Sequence, residues 1–271
     1  MNLEFEIFKP QGMLAGYVQA IWSVSVKPDT VQTVRKQLLS DAGTGVVFIL
    51  QNEVQIDNEW QESGVLLLPV STIAHHVTLP PGTVMAGVRF HPAVGYQLFG
   101  QRLEHPLRIE NDHFLASSTL PIFAYLQAMR SPSARISALY RWMQTLITEC
   151  EPQEVGHIID EPLGTISQRQ RERNFQKWLG ITPKHYQRIK RVKQTLEQLR
   201  AQPDVALSDL ALDQGFADQA HMTRECKQIA RITPKQFVRK AGISLENKPT
   251  TIYAKTHRIS SFGQDFINFV E

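Results

Sequence analysis

The chain has 271 residues, 42% hydrophobic and 20% charged, with a formal net charge of +3. That balance excludes a disordered or fibrous chain and leaves room for two domains. Two cysteines, Cys150 and Cys226, make no disulfide framework. With neither a leader-like segment nor an apolar run of about 18 residues, the expected setting is the reducing cytoplasm, away from membranes.

Residues 1–115 read as mostly β. Gly45 to Leu50 and Val65 to Val70 are apolar runs suited to buried strands, and Val54 to Trp60 alternates. Val77 to Leu79 and Val84 to Phe90 continue the series across the Pro80-Pro81-Gly82 turn. Short strands at such spacing predict a sandwich or barrel. Ala93 to Phe99 reads as a short helix. Residues 117–149 read as two helices parted at Ser131-Pro132-Ser133, with apolar stripes that suit a core or a dimer surface.

Beyond residue 150 the chain repeats itself. Shifted by 51 positions, Gly164 to Arg188 falls on Gly215 to Arg239 without a gap. Gln168 meets Gln219, Arg173 meets Arg224, and Ile181-Thr182-Pro183-Lys184 meets Ile232-Thr233-Pro234-Lys235. A fixed-period self-match marks one supersecondary unit used twice. In the second copy, Leu207, Leu210 and Ala211 share a helical face and Gly215 supplies the turn. Asp218 then stands as N-cap of a helix whose inward residues are Met222, Cys226 and Ile229. The first copy has Gly164 as turn, Ser167 as cap, and Phe175, Trp178 and Leu179 as inward face. Between the copies, Lys184 to Arg200 predicts a strut helix of roughly 25 Å at 1.5 Å per residue.

Two helix-turn-helix units on such a strut present two reading helices about one DNA turn, roughly 34 Å, apart. Charge agrees. Thr165 to Arg200 holds ten Lys/Arg against two acids, whereas residues 1–150 hold ten bases and twelve acids. A solvated helix surface would explain such charge anywhere, but not its placement on the repeat.

The stretch Ser167 to Phe175 followed by Gly180-Ile181-Thr182-Pro183, and Gly215 to Arg224 followed by Ile232-Thr233-Pro234, resemble the DNA-binding domain of AraC/XylS-type transcriptional regulators. Tyr17 to Trp22 and Ala86 to Pro92 resemble the small cupin-like domain that precedes it in one group of them. The resemblance implies an α+β chain: a cupin-like β-barrel domain over 1–115, a helical linker over 116–150, a double helix-turn-helix domain over 151–241, and a tail over 242–271. It implies that Arg169, Glu172 and Arg173 read bases from the first copy, and Gln219, His221, Thr223 and Arg224 from the second. Arg grips guanine bidentately, Gln pairs with adenine, and Thr meets a thymine methyl. Ser167, Lys184 and Lys235 are placed for phosphate. Expected partners are double-stranded DNA, RNA polymerase, a small-molecule effector near Trp22, Phe48 and Phe90, and a second copy of the chain.

Three positions depart from the family pattern. Pro162 shortens the first positioning helix, Arg171 stands where leucine is usual, and Arg231 replaces the glycine that the first copy keeps as Gly180. No cofactor or metal is expected. His75 and His76 point to opposite strand faces, and His91, His105 and His113 lack partners at ligand spacing. Two rivals stay open: a β-domain that only dimerises or contacts another protein, and a β-barrel enzyme carrying a DNA-targeting module. A large apolar pocket at Trp22, Phe48 or Phe90 favours the sensor, and a filled interior favours the contact reading.

Overall fold

The computed structural model describes residues 3–152 and 167–244. The strands are β1 (Leu3–Phe8), β2 (Val18–Val26), β3 (Val34–Leu38), β4 (Thr44–Gln51), β5 (Val54–Ile56), β6 (Glu59–Gln61), β7 (Gly64–Leu68), β8 (His75–Leu79), β9 (Val84–Phe90) and β10 (Leu107–Arg108). They form two sheets, of order β1-β2-β9-β4-β7-β10 and β3-β8-β5-β6. The α+β expectation holds, but the barrel does not close. The reason lies in the alternation of the six-stranded sheet. Its residues Val24, Val47, Ile49, Leu66 and Met85 face the second sheet across a cluster shared with Val54, Val77 and Leu79. Its residues Val46, Phe48, Leu50, Val65, Leu67 and Val88 face the other way, into a larger cluster roofed by helices. Helices seal the face that a barrel would enclose on itself.

The run Val54 to Trp60 proves to be a hairpin. Asp57 and Asn58 both take positive φ, 46° and 73°, and split it into β5 and β6. Asp and Asn tolerate that backbone, so a two-residue turn is open to them. In the large sheet, Trp22 lies opposite Gly87, where an added Cβ would stand 2.6 Å from the indole. The glycine lets the ring lie flat on the neighbouring strand.

Three helices follow: α1 (Val94–Phe99), α2 (Ala116–Gln127) and α3 (Pro132–Cys150). Ser131 caps α3 by accepting from the Ala134 N–H. The apolar stripe of α3 (Ile136, Leu139, Met143, Leu146, Ile147) is buried within its own chain, so this stripe is core and offers no dimer surface. Arg135 is buried on the same helix. It donates to Ser23 Oγ and Ser25 Oγ at 3.1 Å and to the Met129 and Arg130 carbonyls, pinning α3 to β2.

The remaining helices are α4 (Gln168–Trp178), α5 (Pro183–Ala201), α6 (Leu207–Asp213), α7 (Gln219–Ala230) and α8 (Pro234–Ser244). The strut is α5. It buries Tyr186, Ile189, Val192, Leu196 and Leu199, a 3.6-residue stripe that packs the other helices around it. At 19 residues it spans about 28 Å. The large cluster runs unbroken from Leu14 beside β2 to Phe237 in α8, so the two halves share one core. Pro162, Gly164 and the apolar residues of the tail lie outside the described residues.

A buried ion pair joins the strut to α7. Arg188 donates to both oxygens of Glu225, at 2.7 and 2.9 Å, and to Gln228 Oε1 at 2.6 Å. Burial alone would raise the Glu225 pKa, but the Arg188 hydrogen bonds and charge outweigh it and hold the carboxyl below its usual range. Cys226 beside it is buried, which pushes its thiol up to about 12.

Two stability predictions follow from this packing. Phe48→Ala empties a fully buried site edge-on to Trp142 and is expected to cost about 3–5 kcal/mol in urea unfolding. Glu225→Gln leaves Arg188 half-satisfied and is expected to cost about 1–3 kcal/mol at pH 7. A depressed folded pKa stabilises above the unfolded value, about 4.3, and that stability fades as pH falls through the folded pKa. The gap between wild type and variant should therefore close on acidification. A gap that is the same at pH 7 and pH 3 would show that the charge of Glu225 is not what matters.

Candidate nucleic-acid interface

The two copies of the repeat build the same object. Ser167 Oγ accepts from the Gln170 N–H (3.2 Å) at the start of α4, and Asp218 Oδ1 accepts from the His221 N–H (2.6 Å) at the start of α7. The helices after them are capped alike: Thr182 Oγ1 accepts from the His185 N–H, and Thr233 Oγ1 from the Gln236 N–H. Each cap satisfies a backbone donor that a helix start leaves unpaired. The turn after α4 and after α7 uses left-handed backbone in both copies, Gly180 at φ 70° and Arg231 at φ 53°. Inward residues match too, with Phe175 and Leu179 buried in one copy and Cys226 and Ala230 in the other. The Phe175 ring meets Tyr186 of the strut edge-on, with centroids 5.5 Å apart.

This frame turns one row of each helix outward. On α4 the exposed residues include Arg169, Glu172 and Arg173, and Glu172 accepts from Gln168 Nε2 (3.1 Å). On α7 they include Gln219 and Arg224, with Thr223 half-buried between them. Glu172 and Thr223 are equivalent positions, as are Arg173 and Arg224. Thr223 Oγ1 donates to the Gln219 carbonyl (2.8 Å), which leaves its methyl and lone pairs for a base edge. His221 is placed differently. Its Nδ1 accepts from the Ala217 N–H (3.2 Å) and its ring stands edge-on to Phe216, so it buttresses the turn. Ser167 Oγ accepts at the cap and keeps its O–H as a donor, and Ser167, Lys184 and Lys235 are exposed at the starts of α4, α5 and α8. Arg171, the departure from leucine, lies over the Phe175 ring.

The acid of α7 is kept off this surface. Glu225 is buried and neutralised by Arg188, so no acid in α7 itself offsets Arg224 and Lys227 on the exposed side. Arg191 serves the turn rather than the surface, donating to the Gly215 carbonyl (2.8 Å) and lying over Phe216.

Beside α4 is an open groove of about 570 Å³, lined by Gln170, Arg173, Asn174, Gln176, Lys177 and Arg102. Arg102 belongs to the β-domain, where its charge is paired with Glu104 at 2.9 Å. Sequence reasoning missed it, and no local pattern marks it, because its backbone partner Gln176 is 74 positions away.

The three aromatic residues expected around an effector are not brought together. Phe48 and Phe90 are fully buried in the larger cluster, edge-on to Trp142 and Phe99 respectively. Trp22 packs against the smaller cluster on the other side of the sheet. Among the described residues, no group of three or more His, Cys, Asp or Glu side chains is arranged to hold a metal. His75 Nδ1 instead lies 2.6 Å from Asp57 Oδ2. No helix among the described residues is long and apolar enough to cross a membrane.

Comparison with known proteins places the two halves separately. Residues 6–106 match a domain of unknown function (DUF6597), and residues 165–240 match the family described as a helix-turn-helix domain. No curated protein sequence matches the chain. Similar solved structures include ToxT from Vibrio cholerae, at 8% identity and a TM-score of 0.39, covering 88% of this chain and 98% of ToxT. Another is the AraC-like transcriptional activator CuxR, at 8% identity and a TM-score of 0.31, covering 91% of this chain and 88% of CuxR. By that family match, residues 165–240 form an AraC-type helix-turn-helix domain.

Proposed function

We propose that the chain is a sequence-specific regulator that sets α4 and α7 into two successive major grooves on one side of a duplex. The observation that carries this reading is the doubled module. Two capped helices, built alike around one buried strut, each turn an arginine of the same repeat position outward. Arg173 and Arg224 are the principal base readers, helped by Arg169, Glu172, Gln219 and Thr223. Lys184 and Lys235 hold phosphates at the ends of the next helices. His221 acts by fixing the start of α7. The protein acts without catalysis, in the cytoplasm, and its partners are the duplex and the RNA polymerase at the promoter it marks.

The interior of the β-domain supports the contact reading over an apolar effector site at Trp22, Phe48 and Phe90. Phe48 and Phe90 have no exposed surface, and Trp22 belongs to a different cluster. The β-domain therefore exerts its influence through protein contacts.

Selection from a pool of random duplexes tests the reading directly. It should enrich two half-sites whose centres lie about 10 base pairs apart. On the selected duplex, Arg224→Ala is expected to cost about 1–3 kcal/mol while hardly changing affinity for random DNA. Lys235→Ala should weaken both alike and lower the salt slope by about one. Equal losses on selected and random DNA for Arg224→Ala would remove its base-reading role.

A further inference from the structure

Both reading helices end against the β-domain, at matching places in the repeat. At the end of α4, Arg102 Nη1 donates to the Gln176 carbonyl (3.2 Å), and Lys177 Nζ lies 5.6 Å from the Tyr96 ring centre. Arg102 also covers Gly180, where an added Cβ would stand 2.6 Å from Nη1. At the end of α7, the Ala74 N–H donates to the Ile229 carbonyl (2.7 Å), and Gln37 Nε2 donates to the Ala230 carbonyl. Arg231 then reaches Asp57, with Nη1 2.9 Å from Oδ1. Under the 51-residue shift, Gly180 becomes Arg231 and Gln176 becomes Lys227. The β-domain holds the same end of the same module twice.

The last carbonyls of a helix have no donor within it, and a cation is favoured there. At the end of α7 the donors to Ile229 and Ala230 come from the β-domain, and at the end of α4 Arg102 adds a β-domain donor to a carbonyl that also accepts from the Gly180 N–H (3.2 Å). Each such donor locates the helix end relative to the domain that supplies it. The contacts stop at the last turn and the residue beyond. With them in place, Arg169, Arg173, Gln219 and Arg224 remain exposed. The docking therefore orients the reading helices and does not cover them.

The bidentate Arg188–Glu225 pair holds α7 on α5, and on α4 the Phe175 ring meets Tyr186 of α5 edge-on. Arg102 adds to the latter a hydrogen bond from the β-domain to the last turn of α4.

Building on the reading above, we propose that the β-domain sets the distance and twist between the reading helices. Arg102 is the positioning residue for α4, and Gln37, Asp57 and Arg231 are the positioning residues for α7. What the β-domain governs is then the spacing of the half-sites, and the base preferences within each half-site belong to the helices alone. Moving one half-site by a base pair turns its groove by roughly 36°, a tenth of a turn. Two helices held by one body tolerate little of that.

The test uses the full chain and the duplex selected by the wild type, rebuilt with its spacer lengthened or shortened by one to three base pairs. Wild type should prefer the selected spacing by about tenfold or more over its neighbours, as for a mismatched site. The double variant Arg102→Gln, Arg231→Gly should bind all spacings within about threefold of one another, and a single half-site as well as wild type does. Arg231→Gly places at this left-handed position the residue that the first copy has, so the helix end stays unstrained. An unchanged unfolding midpoint for each single variant confirms that the fold is intact, and Arg102→Gln alone should flatten the profile in part. A double variant that keeps the wild-type spacing profile overturns the proposal while leaving the DNA reading standing. A wild type that enriches no sequence removes the DNA reading, and the proposal with it.

Discussion

Everything in the C-terminal half depends on the buried stripe of α5. Tyr186, Ile189, Val192, Leu196 and Leu199 recur at helical spacing and are all nearly inaccessible, so α5 cannot turn about its axis without exposing several at once. Fully burying one such side chain is worth about 1.5–3 kcal/mol, so the rotation is strongly opposed. A fixed rod is what two short modules need. Neither α4 nor α7, at 11 and 12 residues, would be stable as a helix in isolation, and each gains its order from packing on the strut.

Charge is handled in two ways. Inside the fold it is neutralised in pairs, as at Glu225 with Arg188. In the β-domain, Asp41 is treated likewise. Burial would raise its carboxyl, but the Arg89 guanidinium bonded to it holds it below the usual range, with the Gly43 N–H accepted as well. On the outer faces of α4 and α7 the charge is left in water, where a phosphate backbone can exchange it for counterions.

How much of this was legible depended on the range of the interaction. The caps at Ser167 and Asp218, the strut, the helix after Ser131 and the apolar strands were legible, because each rests on neighbours within a few residues. The strand β3 was not, since its two buried residues are Lys36 and Gln37, which a count of apolar residues passes over. The strand β1 alternates from Leu3 to Ile7 as Leu-Glu-Phe-Glu-Ile, a signal that was there to be used. Barrel closure was not legible, because it depends on which edges meet. The buried Arg135 and the helix-capping Arg102 have partners more than 70 positions away, and spacing along the chain says nothing of them. At the candidate site, the outward arginines were legible from the repeat, while the role of His221 as a buttress needed the turn in three dimensions.

The left-handed backbone at Arg231 has one more implication. A duplicated segment starts with two equal halves, either of which can stand in the other's place. Here the first copy keeps glycine, which adopts that backbone freely, and the second carries a long cation that adopts it at some strain and reaches a carboxylate on another domain. Exchanging the halves would set the cation beneath Arg102, like against like, and leave Asp57 with His75 and the His76 N–H but no guanidinium. The two copies thus make different contacts with the β-domain, and the two ends of the doubled module are not interchangeable.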